Sequence, residues 1–225
     1  MTPDPLSTLS QERDLPEFLR QRPDHECGEA RQPAVVRVEG EHAPGEPGLW
    51  VFLLGDMTLF GVFFVVFLAM GRDQHATFAA SREDLNQTIG GVNTLVLLTS
   101  SLLVVLALAV ARAGHQRRAA RLVAGAGGCA ALFTILKMVE YTAEVSAGNT
   151  PGVGLFFTFY FILTGIHLLH VLVGSVLLFV LWRRLRMGAV GHRGLPFAEG
   201  AACYWHMVDL LWIVLFPLLY LGFSS

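Results

Sequence analysis

From Leu49 onward the chain alternates between long apolar runs and short polar breaks. Five runs stand out: Leu49–Gly71, Gly90–Ala111, Leu122–Val145, Leu155–Trp182 and Ala201–Phe223. Each exceeds the ~20 residues that a helix needs to cross a bilayer. A spanning segment must satisfy its own backbone polar groups, so each run predicts a transmembrane helix. The expected fold class is therefore all-α: a polytopic bundle of five transmembrane helices over residues 49–223. Residues 1–48 lack such a run and carry seven prolines, ten acids and five arginines. That composition cannot bury enough apolar surface to offset ordering entropy, so it predicts a disordered polar tail, closed by a Pro44–Gly48 turn. No apolar core follows Met1, so no cleavable signal peptide is expected.

Composition agrees with the pattern. Of the 225 residues 53% are hydrophobic and only 15% charged, with a mean hydropathy of +0.53. This is the profile of a membrane protein, not a soluble domain. A net charge of −2 gives no reason to expect a nucleic-acid partner. Cys27, Cys129 and Cys203 are far apart, and they suggest neither a disulfide framework nor a CxxC metal site. The arginines set an orientation. Arg112, Arg117, Arg118 and Arg121 fall between the second and third runs. Arg183, Arg184, Arg186 and Arg193 fall between the fourth and fifth. The positive-inside rule then predicts a cytoplasmic amino terminus and an external carboxyl terminus.

The remaining signal is polar groups inside the apolar runs, which are costly in hydrocarbon and suggest a function or a buried partner. Asp56 lies seven residues past Leu49, about 10 Å along a helix. Asn93, Thr94, Thr99, Ser100 and Ser101 suit interhelical hydrogen bonding. Lys137, Glu140 and Glu144 share one helix face, and a Lys–Glu pair lowers the cost of burying both. His167 and His170 are three apart, with Gly165 and Gly174 placed to admit a neighbouring helix. In the last run His206 and Asp209 are three apart, Trp205 and Trp212 seven apart, and Glu199 sits at the entrance. His167, His170 and Glu140 are the expected intramembrane counterparts of His206 and Asp209. Pro217 is expected to bend the helix near its end. Without an HExxH motif or a Glu-x-x-His pair, the histidines read as packed, polar-bonded groups rather than metal ligands.

Five motifs, in order, resemble one family. EGAACYWHMVDLLW (Glu199–Trp212) resembles the last-helix signature E-x-x-x-x-Y/F-W-H-F-x-D-x-x-W of subunit III of the haem-copper oxidases. TGIHLLHVLVGS resembles its H-G-L-H-V-x-x-G-S, with Leu168 in place of Gly. VNTLVLLTSS is similar to its L-N-T-x-x-L-L-x-S-S, KMVEY to its Q-x-x-E-Y/F, and LLGDMTLF to its S-E/D-x-x-x-F. Seven-helix members carry two further helices before these. The five-helix count, the LLWIVLFPLLYL ending and the acidic tail most resemble the type associated with nitric oxide reductase.

The resemblance implies a non-catalytic accessory subunit that carries no haem or copper. It would pack on a haem-bearing catalytic subunit I, bind phospholipid and support proton uptake, in a bacterial inner membrane. It also implies that Asp56, Glu140, His167, His170, Glu199, His206 and Asp209 are the proton-related or structural polar positions. Trp205, Trp212 and Gly174 would be packing positions, and no residue is catalytic or metal-binding. The competing readings are a quinol oxidase subunit III, a stand-alone membrane metalloenzyme using His167, His170 and His206, and a proton transporter using Asp56, Lys137 and Glu140.

Overall fold

Helices account for nearly every described residue. The computed structural model describes residues 47–222 apart from 84, 153, 189 and 191–193, so all but the last two residues of the expected tail (residues 1–48) lie outside the described residues. Six α-helices follow in order: α1 Pro47–Asp73, α2 His75–Glu83, α3 Gln87–Arg112, α4 Gln116–Ser146, α5 Leu155–Arg186 and α6 Leu195–Phe216. A π-helical turn, Pro217–Leu221, continues α6. Five of these elements are long and apolar enough to cross a membrane, and the expected class holds.

The differences lie at the ends. Pro47 and Gly48 already belong to α1, since a fixed φ and missing donor suit a first helical turn, and the rest of the expected Pro44–Gly48 turn lies outside the described residues. Helices α4 and α6 each begin six residues before their apolar runs. The arginines expected in a loop at Arg117, Arg118 and Arg121 are therefore helical. Hydropathy marks the hydrocarbon segment only, whereas a helix continues into the interface on side chains with long apolar stems. Helix α2 has no counterpart among the expected spans. It is nine residues long and largely Ala and polar, and one side chain anchors it. Phe78 is fully buried against Phe67 and Phe156, with ring centroids at 5.4 and 5.5 Å.

Local chemistry explains the breaks. The Asn86 side chain accepts from the backbone N–H of Thr88 and Ile89 at 3.1 and 3.2 Å, capping α3. Gly114 and Gly148, with φ of 82° and 91°, end α3 and α4 in the left-handed conformation that glycine adopts without a Cβ penalty. In both places the next residue's N–H donates back to the helix: His115 to Val110 and Asn149 to Glu144.

Helices α3, α4, α5 and α6 close a ring in which each packs on the next and α6 returns to α3. Helix α1 leans on α5 and α6 from outside the ring. Only 17% of its apolar window is buried, against 56% for the span that contains α6. Small residues permit the close approaches. A Cβ on Gly174 would lie 2.7 Å from Trp205, and one on Gly90 would lie 2.8 Å from Phe216. Gly165 has open space around its Cβ position, so it is not a packing contact.

Candidate functional site

The polar side chains of the spans collect in three groups along the ring. The first joins α1 to α5. His170 Nε2 lies 3.0 Å from Asp56 Oδ1. His170 Nδ1 lies 2.7 Å from the Ile166 carbonyl, which only accepts, so Nδ1 carries its hydrogen. The pair lies in a mostly buried place, under the edge of Phe60 at 5.6 Å.

The second group lies in the half of the ring nearer the arginines. His206 Nδ1 is 2.6 Å from Ser101 Oγ, linking α6 to α3. Ser101 also faces the Asp209 carboxyl. Ser100 donates to the Ala126 carbonyl of α4 at 3.1 Å. The expected pairing of His206 and Asp209 with His167, His170 and Glu140 is not what forms. His206 and Asp209, three apart on α6, both face Ser101, because the antiparallel register sets α3, not a histidine of α5, opposite them.

The third group is the most deeply buried. Lys137 is wholly enclosed and Glu140 is 1% exposed. Lys137 Nζ donates to Glu140 Oε2 at 3.1 Å, Tyr160 Oη at 3.1 Å and Tyr220 Oη at 2.8 Å. A lysine ammonium has three donors, and each finds an acceptor. Tyr160 donates to Glu140 Oε1 at 2.8 Å, and Tyr220 donates to the same oxygen. Lys137 also stands 4.8 Å from the Tyr160 ring and 5.2 Å from the Trp212 ring. The two tyrosines were not among the expected site residues. Their signal was available: a hydroxyl in an apolar run needs a partner.

Other polar atoms find no hydrogen-bond partner among the described residues. His167 is fully buried, and neither ring nitrogen has a hydrogen bond. Its ring is tilted against Trp212 at 5.1 Å and meets the edge of Phe133 at 5.8 Å. Asn93 is likewise fully buried, with both amide atoms unpaired. Asp209 Oδ1, Asp56 Oδ2, Trp205 Nε1 and, at the start of α4, Gln116 Oε1 are unpaired as well. Each such atom costs about 1–3 kcal/mol unless water satisfies it. Trp212, by contrast, donates to Thr94 Oγ1 at 3.0 Å.

Each end of the ring has a cavity. At the arginine-rich end, one of about 650 Å³ is lined by Arg117, Arg121, Arg186 and Trp182. Nearby, Arg112 pairs with Glu199 at 2.8 Å, a half-exposed bridge worth at most about 1 kcal/mol. At the other end, a cavity of about 350 Å³ is lined by Asn86, Glu140, Ala143, Glu144 and Asn149. Asn149 donates to Glu144 at 2.9 Å. Among the described residues, no three His, Cys, Asp or Glu side chains gather as they would around a metal ion.

The fold and its polar groups define a polytopic helical membrane protein whose intramembrane charges are answered mainly from its own helices. The chain belongs to the cytochrome c oxidase subunit III family, which matches residues 45–224 and so includes all five spans. Members of this family are accessory subunits of haem-copper oxidases. Cytochrome c oxidase subunit 3 of Thermostichus vulcanus is 30% identical over 190 residues, covering 80% of this chain and 91% of that one. The same subunit of Synechocystis sp. is 30% identical over 175 residues, covering 77% and 74%. A haem-copper oxidase subunit I+III of Aeropyrum pernix is 28% identical over 180 residues, covering 77% of this chain and 22% of that longer one.

Proposed function

We propose that this chain is the non-catalytic third subunit of a haem-copper respiratory oxidoreductase in a bacterial inner membrane. It docks on the haem-bearing catalytic subunit I, in a cytochrome c oxidase or, on the five-helix pattern, a nitric oxide reductase complex. The observation that carries this reading is the family match across every span. A relative that joins subunits I and III in one chain supports the choice of partner. Haem and metal belong to that partner. The arginine-rich end faces the cytoplasm, which puts the amino terminus inside and the carboxyl terminus outside. Membrane phospholipid is a second partner. Arg117, Arg121 and Arg186 around one cavity suit anionic headgroups on the cytoplasmic side.

The residues divide by role. Asp56 and His170 meet at the junction of α1 with the ring, and this pair supports proton supply to the partner. His206, Asp209 and Glu199 hold α6 to α3. Gly174, Trp205 and Trp212 set the α5–α6 approach.

Mild-detergent purification from native membranes tests the reading. A haem-bearing subunit should co-purify, and the Soret band should leave with it when the complex is split. A Soret band that stays with this chain alone would overturn the proposal. Asp56→Asn should leave insertion intact and lower the turnover of the assembled complex progressively as pH rises. Turnover unchanged across pH would leave Asp56 a structural group.

A further inference from the structure

The polar groups at the centre of the ring form a column, and its gaps fall where unpaired atoms lie. Ser100 meets Ala126 across the antiparallel α3–α4 pair. Asn93, seven residues back on α3, therefore lies level with Phe133, seven residues on along α4. Phe133 packs against both His167 and Trp212, at 5.8 and 4.9 Å. Trp212 in turn stands between His167, at 5.1 Å, and Lys137, at 5.2 Å. Trp212 thus touches both the unpaired His167 and the Lys137–Glu140–Tyr160–Tyr220 cluster, and it donates to Thr94, the neighbour of the unpaired Asn93. Glu140 itself lines the cavity at the arginine-poor end, beside Glu144 and Asn149.

Buried polar atoms that the protein leaves unpaired are normally satisfied by internal water, typically through two to four hydrogen bonds per molecule. The imidazole and amide supply such bonds at one level of the ring. We propose that the ring core is a hydrated, outward-opening site, in which water held by His167 and Asn93 adjoins the Lys137–Glu140 cluster, and that this cluster exchanges protons with the bath at the arginine-poor face. The ligand is water and the proton it carries. A proton from the bath passes along the cavity to the Glu140 carboxylate. The Lys137 ammonium keeps its donors to the two tyrosine oxygens, and no electrons move. The groups facing Glu140 are Lys137, Tyr141 and Glu144 from α4, Tyr160 from α5 and Tyr220 from the terminal turn. From α3, the cavity wall is Asn86 and Ile89, which do not titrate.

This site does not depend on which redox complex the chain joins, so it is tested on the full chain alone in lipid vesicles. Infrared difference spectra are recorded after a pH step on one side, in H2O and in D2O. A carboxyl signal that is lost in Glu140→Gln should follow pH at the arginine-poor face. Ala143→Phe, which fills the cavity, should slow it several-fold, whereas Ala124→Phe at the opposite cavity should not. Nitrogen-15 spectra of His167 should show contact with water. A Glu140 signal that follows the arginine-rich face, or neither face, overturns the proposal, and so does a dry His167. Should Glu140→Gln or Ala143→Phe fail to fold, the sided pH step on the unmodified chain decides alone. Co-purification with a haem subunit tests the complex separately, so the two readings can fail independently.

Discussion

At the residue scale, the balance of charge and burial decides what each polar group does. The Lys137–Glu140 pair is enclosed; all three ammonium donors are engaged, and the carboxylate accepts three hydrogen bonds. Removing one member strands the other. Lys137→Met or Glu140→Gln alone should destabilise the fold by about 3–5 kcal/mol. The double variant should cost less than the sum of the two singles, because no lone charge remains. Denaturation in detergent with a helicity readout measures all three, and strict additivity would mean that the pair does not act as a unit. Gly174 poses the opposite problem. A methyl there would meet the Trp205 ring at 2.7 and 2.8 Å, and that ring is locked in the core. Gly174→Ala should lower stability by about 1–3 kcal/mol through overpacking. The equivalent change at Gly165, which has open space, should be nearly silent in the same assay.

At the element scale, the helices differ in what holds them. Helices α3 to α6 hold one another on several sides, whereas α1 leans on the ring through few buried positions and the Asp56–His170 contact. Helix α2 depends on Phe78. Phe78→Ala should therefore expose the α2 amides to rapid hydrogen exchange while α3 to α6 keep their protection. Loss of protection throughout the ring would show that α2 is integral to it. The same element marks where reading the chain fell short. HATFAASRE is too short and too polar to register as a span, and it folds because a cluster of aromatic rings from α1 and α5 receives one phenylalanine.

At the scale of the whole molecule, charge asymmetry is the basis of the proposed orientation. The arginines at the ends of α3, α4 and α5 gather at one end of the bundle. A reporter fused at the carboxyl terminus should be active only outside the cytoplasm. Changing Arg117, Arg118 and Arg121 to Gln should yield a mixed population. A reporter active only inside the cytoplasm in the unmodified chain would reverse the assignment of faces.

Five spans, their rough extent, the all-α class and the family could be read from the chain, because bilayer thickness and the lack of solvent act on each segment separately. That Asp56, Glu140, His167, His170 and Asp209 lie within spans was equally plain. Their partners were not. Asp56 meets His170, His206 meets Ser101, Glu140 meets two tyrosines from different elements, and His167 meets no hydrogen-bonding group among the described residues. Such choices depend on how each helix is rotated and on its register against its neighbours. In a membrane, lipid-facing and core-facing positions are both Leu, Val and Phe, so apolar periodicity does not record rotation. Only the packed ring, with Gly174 fitted under Trp205 and Gly90 under Phe216, settled which polar atoms meet.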